Sequence, residues 1–303
     1  MDRRQFLKVS QGIAGLIILH GCVNRGNASS VRFGLVTDSH FARREAAGSR
    51  FYEQSLDKMR AAMMVFNEQK PDFVIELGDF KDMGKTGEET LAFLDEIETE
   101  YQTFKGDVYH VLGNHDEDNI SKASFLQHTA NAGAAKGKNY YSFTVKKVKF
   151  IVLDANYNED SSDYDSGNFD WTKAYIPRRQ LDWLTKELDT RQPVVVFIHQ
   201  LLDLTQRQHG TVVGNAEEVI AALEKNGNVL AVFQGHHHAG SYNFSGGIHY
   251  FTMKGMIEGA LPDNNSFAMV EITPSRDIVI DGFYNCEDRE LRSLGFGVWG
   301  LSF

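Results

Sequence analysis

Side chains that can bind metal ions recur in this sequence where predicted strands end. Five apolar stretches with the composition of buried strands are each followed within three residues by Asp, Asn or His. These residues stand in Asp38-Ser39-His40, Gly78-Asp79, Gly113-Asn114, His199 and Gly235-His236-His237-His238. One polar residue after a strand is ordinary in a loop, whereas five in succession predict a shared site.

The residue types indicate a centre for divalent metal ions. Ligands of open α/β sheets bind beyond the carboxyl ends of strands, so residues that follow parallel strands should meet at one edge. Carboxylates and imidazoles that converge in a buried place are costly unless a cation compensates them. Imidazole nitrogen and carboxylate oxygen, without thiolate, suit borderline ions such as Mn, Fe or Zn. The pattern leaves the identity of the metal open.

The elements that would position these ligands alternate along the first half of the chain. The predicted strands there are Val31–Thr37, Asp72–Leu77 and Asp107–Leu112. Apolar residues at helical spacing lie between them, in Tyr52–Gln69 and from Leu91 to Ile97. The second half is richer in predicted strands and contains a long polar segment, 155–176, that is typical of a functional loop. The pattern predicts an α/β domain of two packed sheets flanked by helices.

Taken in chain order, the motifs D-x-H, G-D-x-x-D, G-N-H-D, H and G-H-x-H resemble those of the calcineurin-like metallophosphoesterase family. The resemblance extends from Val31 to about Phe283. It implies a four-layer α/β/β/α sandwich of two mixed sheets. It also implies an enzyme that hydrolyses phosphoesters or phosphoanhydrides with two divalent metal ions, and with a hydroxide that bridges the ions as the nucleophile.

The family resemblance implies a role for each residue of the motifs. The ligands of one metal ion would be Asp38, His40 and His238, those of the other would be Asn114, His199 and His236, and Asp79 would bridge the two ions. His115 would be the general acid or hydrogen-bond donor at the leaving oxygen. Asp82 would orient a metal ligand rather than bind the metal itself.

Shorter strings are similar to the manganese-dependent ADP-ribose/CDP-alcohol diphosphatase subgroup of that family. They are Arg50–Ser55, Gln180–Leu184, Gly235–Tyr242, Gly247–Tyr250 and Gly255–Glu258. The similarity implies nucleotide diphosphate or phosphodiester substrates, with Arg50 as a candidate phosphate contact. His209, in the string QRQHG, is a second candidate substrate contact. His40 departs from the Gln that is usual in the subgroup. A broad phosphomonoesterase that scavenges phosphate and a catalytically inactive surface binding module remain alternatives.

The charge balance argues against duplex nucleic acid as a partner. Lys and Arg number 31 against 41 for Asp and Glu, which gives a formal charge of −10. An acidic chain lacks the broad basic face that a phosphate backbone needs. A small phosphorylated substrate is the expected partner, because bound metal ions can supply positive charge locally. The sequence leaves the oligomeric state open.

Residues 1–22 predict a bacterial export signal. Arg3–Lys8 resembles a twin-arginine motif, and the apolar run Ile13–Leu19 is too short to span a membrane. Leu19–Cys22 resembles a lipoprotein processing site, so we expect a periplasmic or cell-envelope protein that contacts the membrane only through a lipid on Cys22. Release as a soluble protein is the alternative. Residues 23–30 are predicted to be a tether and residues 31–303 the metallophosphoesterase domain.

Overall fold

Residues 30–293 are described by the computed structural model. The predicted export signal, the lipid site at Cys22 and the tether up to residue 29 lie outside the described residues. Among the helices between residues 30 and 293, none has the length and apolar character needed to cross a membrane.

Twelve strands and five α-helices make up the described part of the chain. The strands are β1 (Val31–Val36), β2 (Phe73–Glu76), β3 (Asp107–His110), β4 (Tyr141–Val145), β5 (Val148–Val152), β6 (Val194–Ile198), β7 (Val229–Gln234), β8 (Ser241–Ser245), β9 (Ile248–Thr252), β10 (Ser266–Ile272), β11 (Ile278–Tyr284) and β12 (Arg289–Leu291). The helices are α1 (Ser55–Gln69), α2 (Gly87–Tyr101), α3 (Lys122–His128), α4 (Arg178–Glu187) and α5 (Ala216–Glu224).

Both sheets have six strands and both are mixed. The first has the order β12-β11-β10-β1-β2-β3, and the second β4-β5-β6-β7-β9-β8. β1, β2 and β3 are parallel, as are β5, β6, β7 and β9, while the remaining neighbours are antiparallel. Most of the parallel strands are apolar runs, as expected of strands buried on both faces. The polar motifs found in the sequence follow the carboxyl ends of β1, β2, β3, β6 and β7.

The two sheets pack face to face through phenylalanine rings. Phe33 of β1 makes edge contacts with Phe150, Phe197 and Phe233 of the second sheet, at centroid distances of 5.8, 5.5 and 5.7 Å. Edge-to-face pairs of this kind add about 0.5–1.5 kcal/mol each to the gain from burial. Helices α1 and α2 pack on the outside of the first sheet, and α4 and α5 on the outside of the second. The predicted four-layer α/β/β/α sandwich is confirmed.

The helices form where their sequences support them locally. In α2, the Thr86 side chain accepts the N–H of Glu89 at the amino terminus, and Phe93, Leu94 and Ile97 are buried at helical spacing. Helix α3 has only seven residues, which is too short for a periodic pattern, and sequence analysis missed it. The predicted polar segment 155–176 is a long loop with one 3₁₀ turn, Trp171–Lys173.

A buried ionic group lies at the end of β3. His110 Nδ1 is 3.0 Å from Glu76 Oε1, and its Nε2 is 3.1 Å from Glu98 Oε2, the latter an ion pair poorly aligned for hydrogen bonding. Burial opposes protonation of His110, but Glu98 and Glu76 outweigh it and raise the pKa to about 10. The other oxygen of Glu76 accepts the N–H of Gly78 at 2.7 Å. The group thus supports the loop that begins at Gly78.

Replacing His110 by Leu should lower the free energy of unfolding by about 3–5 kcal/mol at neutral pH, because two carboxylates stay buried without their cation. Urea unfolding of wild type and variant in one metal buffer measures the loss. The pKa of His110 is about 10 in the folded protein and 6.5 as an ordinary value. The stabilisation by protonated His110 is therefore complete below pH 6.5 and disappears as the pH rises through about 10. The difference should therefore narrow toward alkaline pH. A loss below about 1 kcal/mol would contradict the ion-pair reading.

Candidate metal centre

The carboxyl ends of β1, β2, β3, β6 and β7 meet at one edge of the sandwich. His199, which follows β6 in the second sheet, places its Nδ1 2.8 Å from the carbonyl of Leu77 in the first sheet. His236, which follows β7, donates its backbone N–H to Asp38 Oδ1 at 3.1 Å. Main-chain and side-chain bonds thus join both sheets at the residues that the sequence analysis selected.

The first group of potential ligands consists of Asp38, His40 and His238. Their ligand atoms lie within 4.8 Å of one another. His40 Nε2 is 3.2 Å from His238 Nε2, and the latter is 3.3 Å from Asp38 Oδ1. Asp38 and His40 are completely buried. This group contains the three residues predicted for one metal ion.

The second group consists of Asp79, His199 and His236. His199 Nε2 lies 3.2 Å from Asp79 Oδ2 and 3.2 Å from His236 Nδ1. Asn114 approaches the same place: its neighbour His115 donates a backbone N–H to Asp79 Oδ1 at 2.8 Å. The side-chain oxygen of Asn114 is buried and has no hydrogen-bond partner.

One oxygen atom lies between the two groups. Asp79 Oδ2 is 3.4 Å from His40 Nε2 in the first group and 3.2 Å from His199 Nε2 in the second. Asp79 also lies next to the motif that contributes Asn114, since its other oxygen accepts the His115 N–H at 2.8 Å. This is the position required of a carboxylate that bridges two cations.

The donor set fits two divalent cations. Pairs of imidazole nitrogens face each other at 3.2 Å in both groups, an arrangement in which lone pairs repel unless a proton or a metal ion lies between them. The unpartnered amide oxygen of Asn114 points to the same need. With nitrogen and oxygen donors and no thiolate, the groups suit Mn, Fe or Zn.

Two carboxylates fix the rings of the first group. Asp82 Oδ2 is 3.2 Å from His40 Nδ1, and Glu258 Oε1 is 2.6 Å from His238 Nδ1. A carboxylate on Nδ1 selects the tautomer that leaves Nε2 free as a ligand. The sequence predicts this role for Asp82 but none for Glu258. Glu258 is 20 residues from His238, and no spacing pattern connects them.

His115 is held by its own loop. Its Nδ1 is 2.7 Å from Asp118 Oδ2, and its carbonyl accepts a hydrogen bond from the ammonium of Lys81. Its side chain is about one-third exposed. Burial opposes protonation of His115, but the charges of Asp79 and Asp118 raise the pKa to about 9. Because Nδ1 faces Asp118, Nε2 is the ring nitrogen that remains free to act. Asp118, three residues after His115, is a further residue that sequence analysis missed.

The backbone at the ligands is strained. Asp38, His40, Asp79 and His236 have φ angles of 50°, 43°, 53° and 65°, in the left-handed region. Such conformations cost about 1–3 kcal/mol each for residues other than glycine and persist only where the surroundings enforce them. A Cβ on the neighbouring Gly113 would lie 2.1 Å from the Asp79 nitrogen, so only glycine allows the two loops to approach this closely.

Asp116 holds the strained loops together. Its carboxylate accepts the backbone N–H groups of Gly113 at 2.8 Å, Asp79 at 3.1 Å and Phe80 at 3.0 Å. It is completely buried. Three hydrogen bonds from two loops to one carboxylate explain how the bridging Asp79 and the loop of Asn114 are kept in register.

The predicted substrate contacts lie farther out. Arg50 Nε is 3.9 Å from Glu258 Oε1, and the His209 ring stacks on His237 at 4.7 Å. The structure therefore connects both to the centre through an intermediate residue rather than directly. Trp171, from the long polar loop, stands edge-on to His236 at 5.6 Å and is 45% exposed.

Comparison with known proteins decides the family. The model of the calcineurin-like phosphoesterase family matches residues 31–240 of this chain. The chain belongs to that family. This calcineurin-like phosphoesterase is accordingly a metal-dependent hydrolase, and two divalent metal ions are its cofactors. The seven-ligand assignment and the roles of Asp82 and His115 stay predictions.

Similar proteins of known name match most of this calcineurin-like phosphoesterase. "Manganese-dependent ADP-ribose/CDP-alcohol diphosphatase" of rice (Oryza sativa) is 25% identical, over 82% of this chain and 90% of that protein. The protein of the same name from Danio rerio is 24% identical, over 84% and 96%. The crystal structure of a dimetal phosphatase from Danio rerio superposes with a TM-score of 0.75 at 22% identity, over 87% and 99%. The last likeness establishes the shared fold.

The prediction of a bacterial periplasmic or cell-envelope location for this calcineurin-like phosphoesterase is wrong. The relatives that match it are plant and animal enzymes, from rice, Arabidopsis thaliana, zebrafish, mouse and cattle. The prediction rested on short strings within residues 1–22. A basic start followed by an apolar run is enough to make such strings resemble bacterial export signals.

Proposed function

We propose that this protein hydrolyses small nucleotide diphosphates or phosphodiesters at the centre formed by the carboxyl ends of β1, β2, β3, β6 and β7. The observation that carries the metal assignment is the single Asp79 oxygen between two imidazole groups, 3.4 and 3.2 Å from their nearest nitrogens. The substrate class is supported by the relatives named manganese-dependent ADP-ribose/CDP-alcohol diphosphatase. Manganese is the proposed ion on the same ground.

Each of the two groups of side chains is proposed to bind one metal ion. Asp38, His40 and His238 would hold one ion, and Asn114, His199 and His236 the other, with Asp79 shared. When bound, the ions would supply positive charge for the phosphoryl oxygens and lower the pKa of coordinated water. Residues 31–303 are proposed to form the catalytic domain.

The protein's own side chains account for the remaining steps. His115 is proposed to donate a proton from Nε2 to the leaving oxygen, because Asp118 occupies its Nδ1 at 2.7 Å. Proton donation by a positioned group contributes about 10²–10⁴-fold to a rate. Asp82 and Glu258 keep the imidazoles of His40 and His238 oriented and contribute no proton to the substrate.

The outer residues are proposed substrate contacts. Arg50 can present guanidinium donors to a phosphate once it releases its 3.9 Å contact with Glu258. Trp171, which is exposed, contacts His236, and His209 stacks on His237. A substrate with a second phosphate and a planar base has groups that these side chains can bind, whereas a simple monoester would leave them unused.

A small substrate panel tests the proposal. Full-length protein is purified, its bound metals are measured, and it is reconstituted with Mn, Zn or Fe. Rates are then compared on ADP-ribose, CDP-choline, bis-p-nitrophenyl phosphate and p-nitrophenyl phosphate. We expect about two metal ions per chain and the highest kcat/KM on the two nucleotides with Mn. Preference for p-nitrophenyl phosphate would instead support a broad phosphomonoesterase, and no hydrolysis with any ion would leave a binding module.

A further inference from the structure

Lys58 of α1 is a buried cation with an unusual set of partners. It is 0% exposed. Its Nζ donates to the carbonyls of Met256, Ile257, Glu258 and Gly259, at 2.8, 3.1, 3.2 and 2.6 Å. Four consecutive carbonyls thus converge on one ammonium. The partial negative charges of these carbonyl oxygens stabilise the ammonium, and no carboxylate within residues 30–293 is among its hydrogen-bond partners.

The chain at these carbonyls runs beside the metal centre. The backbone N–H of Met256 donates to Thr37 O at 3.0 Å, and that of Ile257 donates to Asp38 O at 3.0 Å. The segment 256–259 is therefore fixed on one side to the strand end that carries Asp38. On its other side the ammonium of Lys58 draws the carbonyls inward.

The charge of Lys58 matters to the shape of this segment. Without a cation, four carbonyl dipoles that point to one place repel one another and stay buried without donors. Burial lowers the pKa of Lys58 to about 8, with the negative charge of Glu258 acting in the opposite direction. The ammonium is thus retained at neutral pH although the side chain is buried.

Glu258 connects this segment to the centre. While its main-chain carbonyl accepts from Lys58, its side chain holds His238 Nδ1 at 2.6 Å. The Glu258 side chain therefore projects from backbone that Lys58 holds, and its carboxylate also lies 3.9 Å from Arg50 Nε. His238 in turn faces Asp38 and His40 through Nε2.

We propose that the buried ammonium of Lys58 shapes the segment 256–259 and, through Glu258, positions His238. Lys58 thereby sets the metal affinity of the position formed by Asp38, His40 and His238. Lys58 is a positioning residue and does not touch the substrate. The inference rests on the proposed assignment of His238 as a metal ligand. Groups of converging carbonyls also suit monovalent cations. In a variant that lacks the Lys58 side chain, a small alkylammonium ion should therefore take the place of the ammonium.

The test compares Mn²⁺ binding to the full chain for wild type, Lys58→Ala, Glu258→Gln, and Lys149→Ala as control. Lys149 also donates to a carbonyl and a carboxylate, both of Glu187, but on the second sheet away from the centre. We expect Lys58→Ala and Glu258→Gln to weaken one of the two Mn²⁺ sites by about 10–100-fold. The Lys149 variant should keep both affinities. Added ethylammonium should restore the affinity of Lys58→Ala and leave that of Glu258→Gln unchanged.

Several outcomes overturn the inference. Wild-type Mn²⁺ affinity at both sites in Lys58→Ala, or in Glu258→Gln, contradicts the inference. If Lys58→Ala fails to fold, the Mn²⁺ affinity of Glu258→Gln is the remaining test. Equal weakening in Lys149→Ala also contradicts the inference, because general destabilisation would then be the cause. His238→Ala separates this inference from the proposed centre: if that variant binds two ions normally, the ligand assignment itself fails. If it loses one ion while Lys58→Ala loses none, only the inference about Lys58 fails.

Discussion

Asp79→Ala should lower turnover by about 10³-fold or more and reduce the metal content of the protein, because its Oδ2 lies between both ligand groups. Metal ions contribute several kcal/mol to stabilising transition-state charge, and each 1.36 kcal/mol corresponds to a factor of about ten in rate. Metal analysis after dialysis and steady-state rates on ADP-ribose measure the two effects. No other residue in the described chain places one oxygen within 3.5 Å of imidazoles from both groups.

Asp79→Asn is the matched variant, since it keeps the size of the side chain and one oxygen but loses the charge. It should retain more metal than Asp79→Ala and still turn over far more slowly than wild type. Asp95→Asn, on the surface beside His128, is the control and should leave both measurements unchanged. Two bound ions and turnover within tenfold of wild type in Asp79→Ala would remove the bridge from the proposed centre.

His115→Ala should lower kcat by about 10²–10⁴-fold, the usual contribution of proton transfer by a positioned group. Its metal content should stay close to that of wild type, because neither proposed ion takes His115 as a ligand. The loss should be large on a phosphodiester with an alkoxide leaving group, which needs a proton, and smaller on ADP-ribose and bis-p-nitrophenyl phosphate, because phosphate and p-nitrophenolate leave as stable anions. Rates on the three substrates and metal analysis together make the measurement.

Asp118→Asn provides a graded comparison for His115. The amide can still contact His115 Nδ1 but no longer stabilises the charged ring, so we expect a smaller loss with the same dependence on the leaving group. His115, His40 and Asp82 could also form a metal-binding group by their mutual distances. Loss of metal ions from His115→Ala would therefore reassign His115 from proton donor to ligand.

The sequence was sufficient to predict the sandwich and the convergence of the proposed ligands, because both depend on local patterns. A strand buried on both faces must be an apolar run, and the residues that follow parallel strands must meet. Asp38, Asp79 and His199 therefore came together as predicted. Neighbours of the ligands are different: Glu258 reaches His238 across 20 residues, and Lys58 reaches Glu258 across 200. Such contacts depend on where a loop passes, which no spacing in the chain encodes.

The left-handed φ angles at Asp38, His40, Asp79 and His236 set the local backbone preference against the proposed chemistry. Glycine would relax the backbone at each position, but it would remove a proposed metal ligand. At Asp38 and Asp79 it would also remove the carboxylates that accept the backbone N–H groups of His236 and His115. Stabilising substitutions chosen from backbone angles alone would therefore favour glycine at these four places at the expense of the metal centre.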